Sequence, residues 1–168
     1  GTGLVGCHLL NLLVNKNKKV VALHRKNSNL EKVKKVFSTY SKNSQEIFSK
    51  IKWVEGDIND LESLKNIFND IEEVYHCAAF ISFDKKDLKA MNKINVEGTA
   101  NMVNFSIDFN VKKFCYVSTI AAIGLSTNKF TNEETEWLDN SNPYSLTKKN
   151  AEMEVWRGIS EGLNATIV

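Results

Sequence analysis

The 168-residue sequence is almost without proline: Pro143 is the only one, and no stretch mixes proline with glycine in the manner of a linker. A single domain spanning residues 1–168 is the economical expectation. Cysteine is scarce too, and Cys7, Cys77 and Cys115 each sit in an apolar run, at no metal-ligand or disulfide-framework spacing. That argues against a stapled scaffold and for reduced thiols in a cytoplasmic protein. Neither sign of charge dominates, with 22 basic against 20 acidic side chains. Without a lysine- or arginine-rich run, such a balance gives little attraction for polyanions, so no nucleic-acid partner is expected. Long apolar runs are also missing: Leu9 to Val14 and Val117 to Leu125 fall short of the roughly 20 residues that span a bilayer. No membrane partner is expected either. The three histidines, His8, His24 and His76, have no second ligand at metal spacing, so no metal is expected.

What is present alternates. Val5, Leu9, Leu12 and Leu13 recur along one face of a helix predicted from about Leu4 to Lys16. Lys19 to His24 reads as a buried strand, Leu30 to about Lys50 as helical with a break near Asn43-Ser44, and Ile51 to Glu55 as strand again. Asp60 offers an N-cap to the next helix, ahead of the strand Glu73 to Ala78. A long helix from about Asp87 to Phe109, a strand from Lys113 to Ser118, and a loop-like segment from Thr119 to Asn142 follow. Pro143 suits the first turn of a last helix reaching about Glu161, packed with Trp137 and Trp156. Strands that are apolar on both faces and separated by helices call for a doubly wound α/β fold around a parallel sheet. The chain opens on Gly1-Thr2-Gly3 rather than Met and closes on the strand-like Asn164 to Val168. The expectation is a piece of a longer protein, lacking a first strand and a C-terminal substrate part, with any targeting peptide upstream.

Three features carry chemistry. Gly1-Thr2-Gly3-Leu4-Val5-Gly6 places small residues where a helix begins, so that backbone N–H groups can approach a phosphate; a plain structural turn uses the same residues. Roughly 20 residues on, where an acidic side chain would meet an NAD ribose, the chain has His24-Arg25-Lys26, with Lys32 beyond. A guanidinium there suits a 2′-phosphate, which favours NADP while leaving NAD possible; a solvated basic turn remains open for Lys26 and Lys32. Tyr144 and Lys148, four residues apart on one helix, can flank a common site, the cation favouring the phenolate. Ser118 and Thr119 bring hydroxyls to the carboxyl end of a parallel strand, where open α/β sheets build their sites.

The glycine turn, Gly56-Asp57-Ile58, His76-Cys77-Ala78-Ala79, Asn95, Ser118-Thr119 and Tyr144 to Lys148, in this order, resemble the extended short-chain dehydrogenase/reductase family of NAD(P)-dependent epimerases and dehydratases. The resemblance covers essentially the whole chain. It implies that Gly3, Leu4, Val5 and Gly6 belong to the cofactor loop. By the same resemblance Asp57 and Ile58 contact the adenine, and Ala78 and Ala79 lie against the cofactor. Tyr144 matches the general acid/base. Lys148 matches the lysine that binds the nicotinamide ribose and lowers the tyrosine pKa, and Thr119 the hydroxyl that polarises the substrate oxygen, with Ser118 as its rival. Asn95 is implied to be mainly structural, and His76 a buried, hydrogen-bonded neighbour of the cofactor.

One departure bears on substrate: the segment Ala121-Ala122-Ile123-Gly124 has Ile123 where many sugar-nucleotide epimerases carry tyrosine. With Arg25 and the apolar Phe80-Ile81-Ser82-Phe83, this looks more like the dihydroflavonol-reductase and hydroxysteroid-dehydrogenase branch. The expectation is an NADP-preferring oxidoreductase acting on a small-molecule carbonyl or secondary alcohol, possible as a homodimer. A nucleotide-sugar epimerase or dehydratase, and a cofactor-sensing protein without turnover, are the alternatives.

Overall fold

The computed structural model describes residues 1–124, 130–135, 137 and 142–168. The chain divides into two compact units, Gly1–Ile67 and Phe68–Val168.

In the first unit α1 (Leu4–Asn15), β1 (Val20–His24), α2 (Leu30–Tyr40), α3 (Ser44–Ser49), β2 (Ile51–Glu55) and α4 (Leu61–Ile67) follow one another. β1 and β2 pair in parallel from Val20 against Ile51 to His24 against Glu55. The crossover between them is helical, as a parallel pair requires. Asn29 starts α2 by accepting a hydrogen bond from the Lys32 amide at 3.3 Å. Val33 and Phe37, one turn apart on α2, are wholly buried. Each contributes about 1.5–3 kcal/mol by leaving water. The buried face of α1 differs from the expected stripe: Cys7, Leu10, Asn11 and Val14 are buried, whereas Val5 and Leu12 are half exposed and Leu9 and Leu13 partly covered. Apolar residues surround this helix on all sides, so their spacing does not single out one face.

In the second unit β3 (Glu73–His76), β4 (Lys113–Tyr116) and β5 (Ala165–Ile167) form a parallel sheet in that order. The parallel α/β fold class is therefore borne out. β3 and β4 stop two residues short of Ala78 and Ser118, where the chain turns into segments carrying candidate functional groups. The long helix expected from Asp87 to Phe109 is a succession: α5 (Leu88–Met91), a π-helical stretch over Asn92–Glu97, then α6 (Gly98–Asp108). Wide π turns of this kind commonly mark functional sites. α7 (Pro143–Ser160) begins as expected, with Pro143 in its first turn and Asn142 Oδ1 accepting from the Tyr144 amide at 3.0 Å. A Cβ on Gly158 would lie 2.5 Å from Val103 Cγ1, so α7 packs on α6 only because that position lacks a side chain. Trp156, expected to pack, is instead half exposed, its indole N–H directed at Glu152 on its own helix. The loop expected from Thr119 to Asn142 contains one short 3₁₀ turn, Ile120–Ala122, among the described residues; 125–129, 136 and 138–141 lie outside them. No described helix is long and apolar enough to cross a membrane.

Candidate active site

In the first unit the glycine turn does what close phosphate approach needs. Gly3 occupies the position before α1, and no side chain caps the helix start. A Cβ on Gly6 would stand 2.8 Å from the Gly1 carbonyl oxygen, so only glycine fits. The side of Gly3 on which a Cβ would project meets no atom within 4 Å, leaving this backbone open to a ligand. Leu4 and Val5 are exposed there. The open N–H groups and bare glycine face fit a dinucleotide phosphate.

Beside the turn lies a groove of about 710 Å³ lined by Thr2, Arg25 to Asn29, Lys32, Glu55 to Asp57 and Asp60. Arg25 and Lys32 thus share one groove with Asp57. The turn holding Arg25 is fixed by its own amide, which donates to Ser28 Oγ at 3.1 Å. Arg25 is exposed and enters no ion pair among the described residues. Asp57 Oδ1 accepts from the Asn59 amide at 2.9 Å, while Asp60 Oδ1 accepts from the Glu62 and Ser63 amides and so caps α4. Ile58 is buried and does not line the groove.

The second unit gathers the remaining residues at the carboxyl ends of β3 and β4. Ala78 and Ala79 are exposed just beyond β3. Half-buried Tyr144 has its phenol pushed above the ordinary tyrosine range by burial, and a hydrogen bond with the Thr119 side chain eases it back. Lys148 is almost wholly buried. Its Nζ donates to Tyr116 Oη at 2.6 Å and to the Val117 carbonyl at 2.9 Å. Burial lowers its pKa to about 8 although Glu152, one turn along α7, favours the charge. The two neighbouring hydroxyls part company: Ser118 Oγ bonds the Glu152 carboxylate, whereas Thr119 Oγ1 accepts from the Ala121 amide at 3.3 Å and is the side chain that eases the Tyr144 phenol. His76 is buried, its Nε2 2.9 Å from Thr99 Oγ1, and burial first and Lys148 second hold its pKa down to about 3. The imidazole is neutral.

Asn95, placed in the π-helical stretch, ties this arrangement together. Its Oδ1 accepts from the Phe80 amide at 2.7 Å, and its Nδ2 donates to the Phe80 carbonyl at 2.9 Å and to Thr147 Oγ1 at 3.1 Å. The amide thereby locks the segment after β3 to the first turns of α7, next to Lys148. Asn95→Ala is expected to cost about 2–4 kcal/mol of folding stability, read from denaturant unfolding, because two backbone groups of Phe80 lose their partner.

Sequence reasoning passed over Tyr116, Glu152, Thr99 and Thr147. Glu152 was within reach, since it continues the four-residue spacing from Tyr144 and Lys148 along one helix face. Tyr116 reads as one more apolar residue in a buried strand, and nothing in its spacing marks the hydroxyl. No group of three or more histidine, cysteine or acidic side chains that could hold a metal ion occurs among the described residues.

A family model described as "NAD dependent epimerase/dehydratase family" matches residues 1–168. Among curated proteins, "Sterol demethylase protein B" of Methylococcus capsulatus is 25% identical over 99% of this chain and 48% of its own length. A "Putative dihydroflavonol 4-reductase" of Synechocystis is 32% identical over 74% of this chain and 32% of its own. The UDP-glucose 4-epimerase structure from Thermotoga maritima superposes with a TM-score of 0.81 at 25% identity, covering 99% of this chain and 52% of that one. The chain thus spans about a third to a half of the length of these relatives. With a family match along all its residues, the chain belongs to the NAD-dependent epimerase/dehydratase family.

Proposed function

We propose that the protein carrying this chain is an NADP-preferring oxidoreductase that interconverts a carbonyl and a secondary alcohol. The observation that carries this reading is the placing of half-buried Tyr144, whose phenol the Thr119 side chain eases down, one helical turn from buried Lys148 on α7. A bound nicotinamide cofactor would supply hydride exchange at its C4. Thr119 holds the substrate oxygen, and Tyr144 gives that oxygen its proton in the reducing direction and takes it back in the other. The phenol, kept above its ordinary pKa, is protonated at neutral pH and ready to act as the acid. Lys148 supplies a donor for the ribose; contrary to the expectation that it lowers the tyrosine pKa, it is not among the groups that shift the Tyr144 phenol, which burial raises. Ser118, engaged with Glu152, serves this pair less directly.

The surroundings of Tyr144 favour an apolar substrate. Phe83 meets its ring edge-on, centroids 6.3 Å apart, yet is 72% exposed, and Ile120 beside Thr119 is 73% exposed. Apolar side chains left bare around reactive hydroxyls suit a hydrophobic carbonyl compound. The names of the reductase and sterol relatives agree with this.

In the first unit Gly3, Leu4, Val5 and Gly6 present the phosphate-binding turn, Asp57 and the Ile58 backbone receive the adenine, and Arg25 and Lys32 receive the 2′-phosphate. In the second, Ala78 and Ala79 offer exposed backbone to the cofactor. Titrating the full-length protein with NADPH and NADH, followed by nicotinamide fluorescence, tests the preference. NADPH is expected to bind more tightly, and Arg25→Ala to weaken NADPH by about 10-fold to 100-fold while leaving NADH unchanged. Equal loss for both cofactors, or tighter NADH, would remove the 2′-phosphate role. A nucleotide-sugar epimerase is the second reading, favoured by the solved epimerase that matches 99% of this chain. It predicts retained oxidised cofactor and turnover without added reductant.

A further inference from the structure

Lys148 has a partner beyond those in the proposed reaction. The Tyr116 hydroxyl, at the end of β4, lies 2.6 Å from its Nζ, and the same Nζ sits 4.2 Å from the Tyr116 ring centroid. Tyr116 is 1% exposed, so water does not compete for this contact. The direction of each bond follows from the proton count. Thr99 Oγ1 donates to the Asn95 carbonyl at 2.6 Å, which spends its only proton. Its oxygen is then an acceptor for neutral His76 through Nε2–H, and the Thr99 side chain also eases the Tyr116 phenol down against the burial that raises it. An ammonium has no lone pair to accept with, so the Tyr116 oxygen is the acceptor in its contact with Lys148. The ammonium therefore gives one N–H to Tyr116 and one to the Val117 carbonyl, and has a third left over.

We propose that Tyr116 is a positioning residue for Lys148: its hydroxyl anchors the buried ammonium at the end of β4 so that one N–H remains for the ribose or for Tyr144. The functional weight of this anchor rests on the proposed role of Lys148, but the anchor itself does not. The charge on Lys148 is poised by groups on every element around it. Tyr116 comes from β4 and the Val117 carbonyl from the residue just after it, His76 and Cys77 from β3 and its end, and Glu152 from α7. Glu152 and the two oxygen acceptors favour the ammonium, while burial and the absence of bulk water oppose it. Taking away one acceptor leaves burial less opposed, so the proton is released at lower pH.

The test is an NMR titration of the full-length protein labelled with carbon-13 at lysine Cε, with the Lys148 resonance assigned from Lys148→Arg. Lys148 is expected to titrate near pH 8 in the parent protein. Tyr116→Phe keeps the ring and the packing but removes the acceptor, and should lower the midpoint by about one pH unit, a tenfold change in the proton equilibrium. An unmoved midpoint in folded Tyr116→Phe would overturn the proposal. If that variant does not fold, 3-fluorotyrosine in place of Tyr116 retains the hydroxyl and weakens it as an acceptor. A smaller displacement in the same direction supports the anchor, and none overturns it. NADPH affinity measured across the same titration separates the two claims. Affinity that ignores Lys148 ionisation would undo the cofactor role of the lysine, while a midpoint that ignores Tyr116 would undo the anchor.

Discussion

Replacing Tyr144 by phenylalanine in the full-length protein is expected to lower turnover by about 10² to 10⁴ while leaving NADPH binding intact. The size follows from what the hydroxyl does. Hydride delivery to a carbonyl carbon leaves a developing alkoxide that needs a proton, and the Tyr144 phenol is the group that the Thr119 hydroxyl orients for this. Without it the alkoxide must find its proton from water, and Thr119 alone can only hold the oxygen. Fold stability should change little, because Tyr144 is half exposed and its ring contact with Phe83 survives in phenylalanine. Steady-state kinetics beside NADPH fluorescence titration would show the separation. Turnover within a factor of about two of the parent would remove Tyr144 from the chemistry.

Lys148→Met is expected to act in opposite directions on activity and stability. An unfolded lysine titrates near pH 10.4, whereas burial holds the folded one at about 8. Below pH 8 the lysine is charged in both states, and the folded state bears the whole cost of the buried charge. As pH rises through 8 towards the unfolded value, the folded lysine releases its proton first and that cost is relieved. At pH 7 the difference amounts to about 3 kcal/mol at most, partly offset when methionine leaves Tyr116 Oη and the Val117 carbonyl without their donor. A net gain of about 1–3 kcal/mol in urea unfolding at pH 7 is the expected result. Turnover should fall by at least about 10², since the donor proposed to hold the cofactor ribose is lost. A destabilised Lys148→Met would mean that the lysine is retained for packing rather than for function.

These two residues also show how much of the protein was legible before its structure. Tyr144 and Lys148 share a helix face because their spacing matches the helical repeat, and Pro143 with Asn142 marks where that helix begins. The glycine turn was equally readable, because steric exclusion at Gly6 belongs to the turn itself. Asn95 was implied by the resemblance to be mainly structural, yet its three bonds run to Phe80 and Thr147, contacts that only the folded chain defines. Ser118 and Thr119 are adjacent hydroxyls at one strand end, and in sequence only the family resemblance favoured Thr119. Their difference comes from Glu152, which takes Ser118 and leaves Thr119 to Tyr144. The face of α1 was misplaced because a helix that is apolar all round has no stripe to read. Tyr116 was invisible for a related reason: in a short buried strand, a tyrosine needed for its oxygen looks like one needed for its ring.

Hydride transfer itself tests the central claim most directly. The full-length protein, given NADPH dideuterated at C4 and a panel of hydrophobic ketones, should release a secondary alcohol carrying one deuterium on the former carbonyl carbon, with stoichiometric NADP formed, and should do so about 10² to 10⁴ times more slowly with Tyr144→Phe. Retained cofactor with deuterium cycling inside a nucleotide sugar, or tight NADPH binding with no transfer to any carbon, would contradict it.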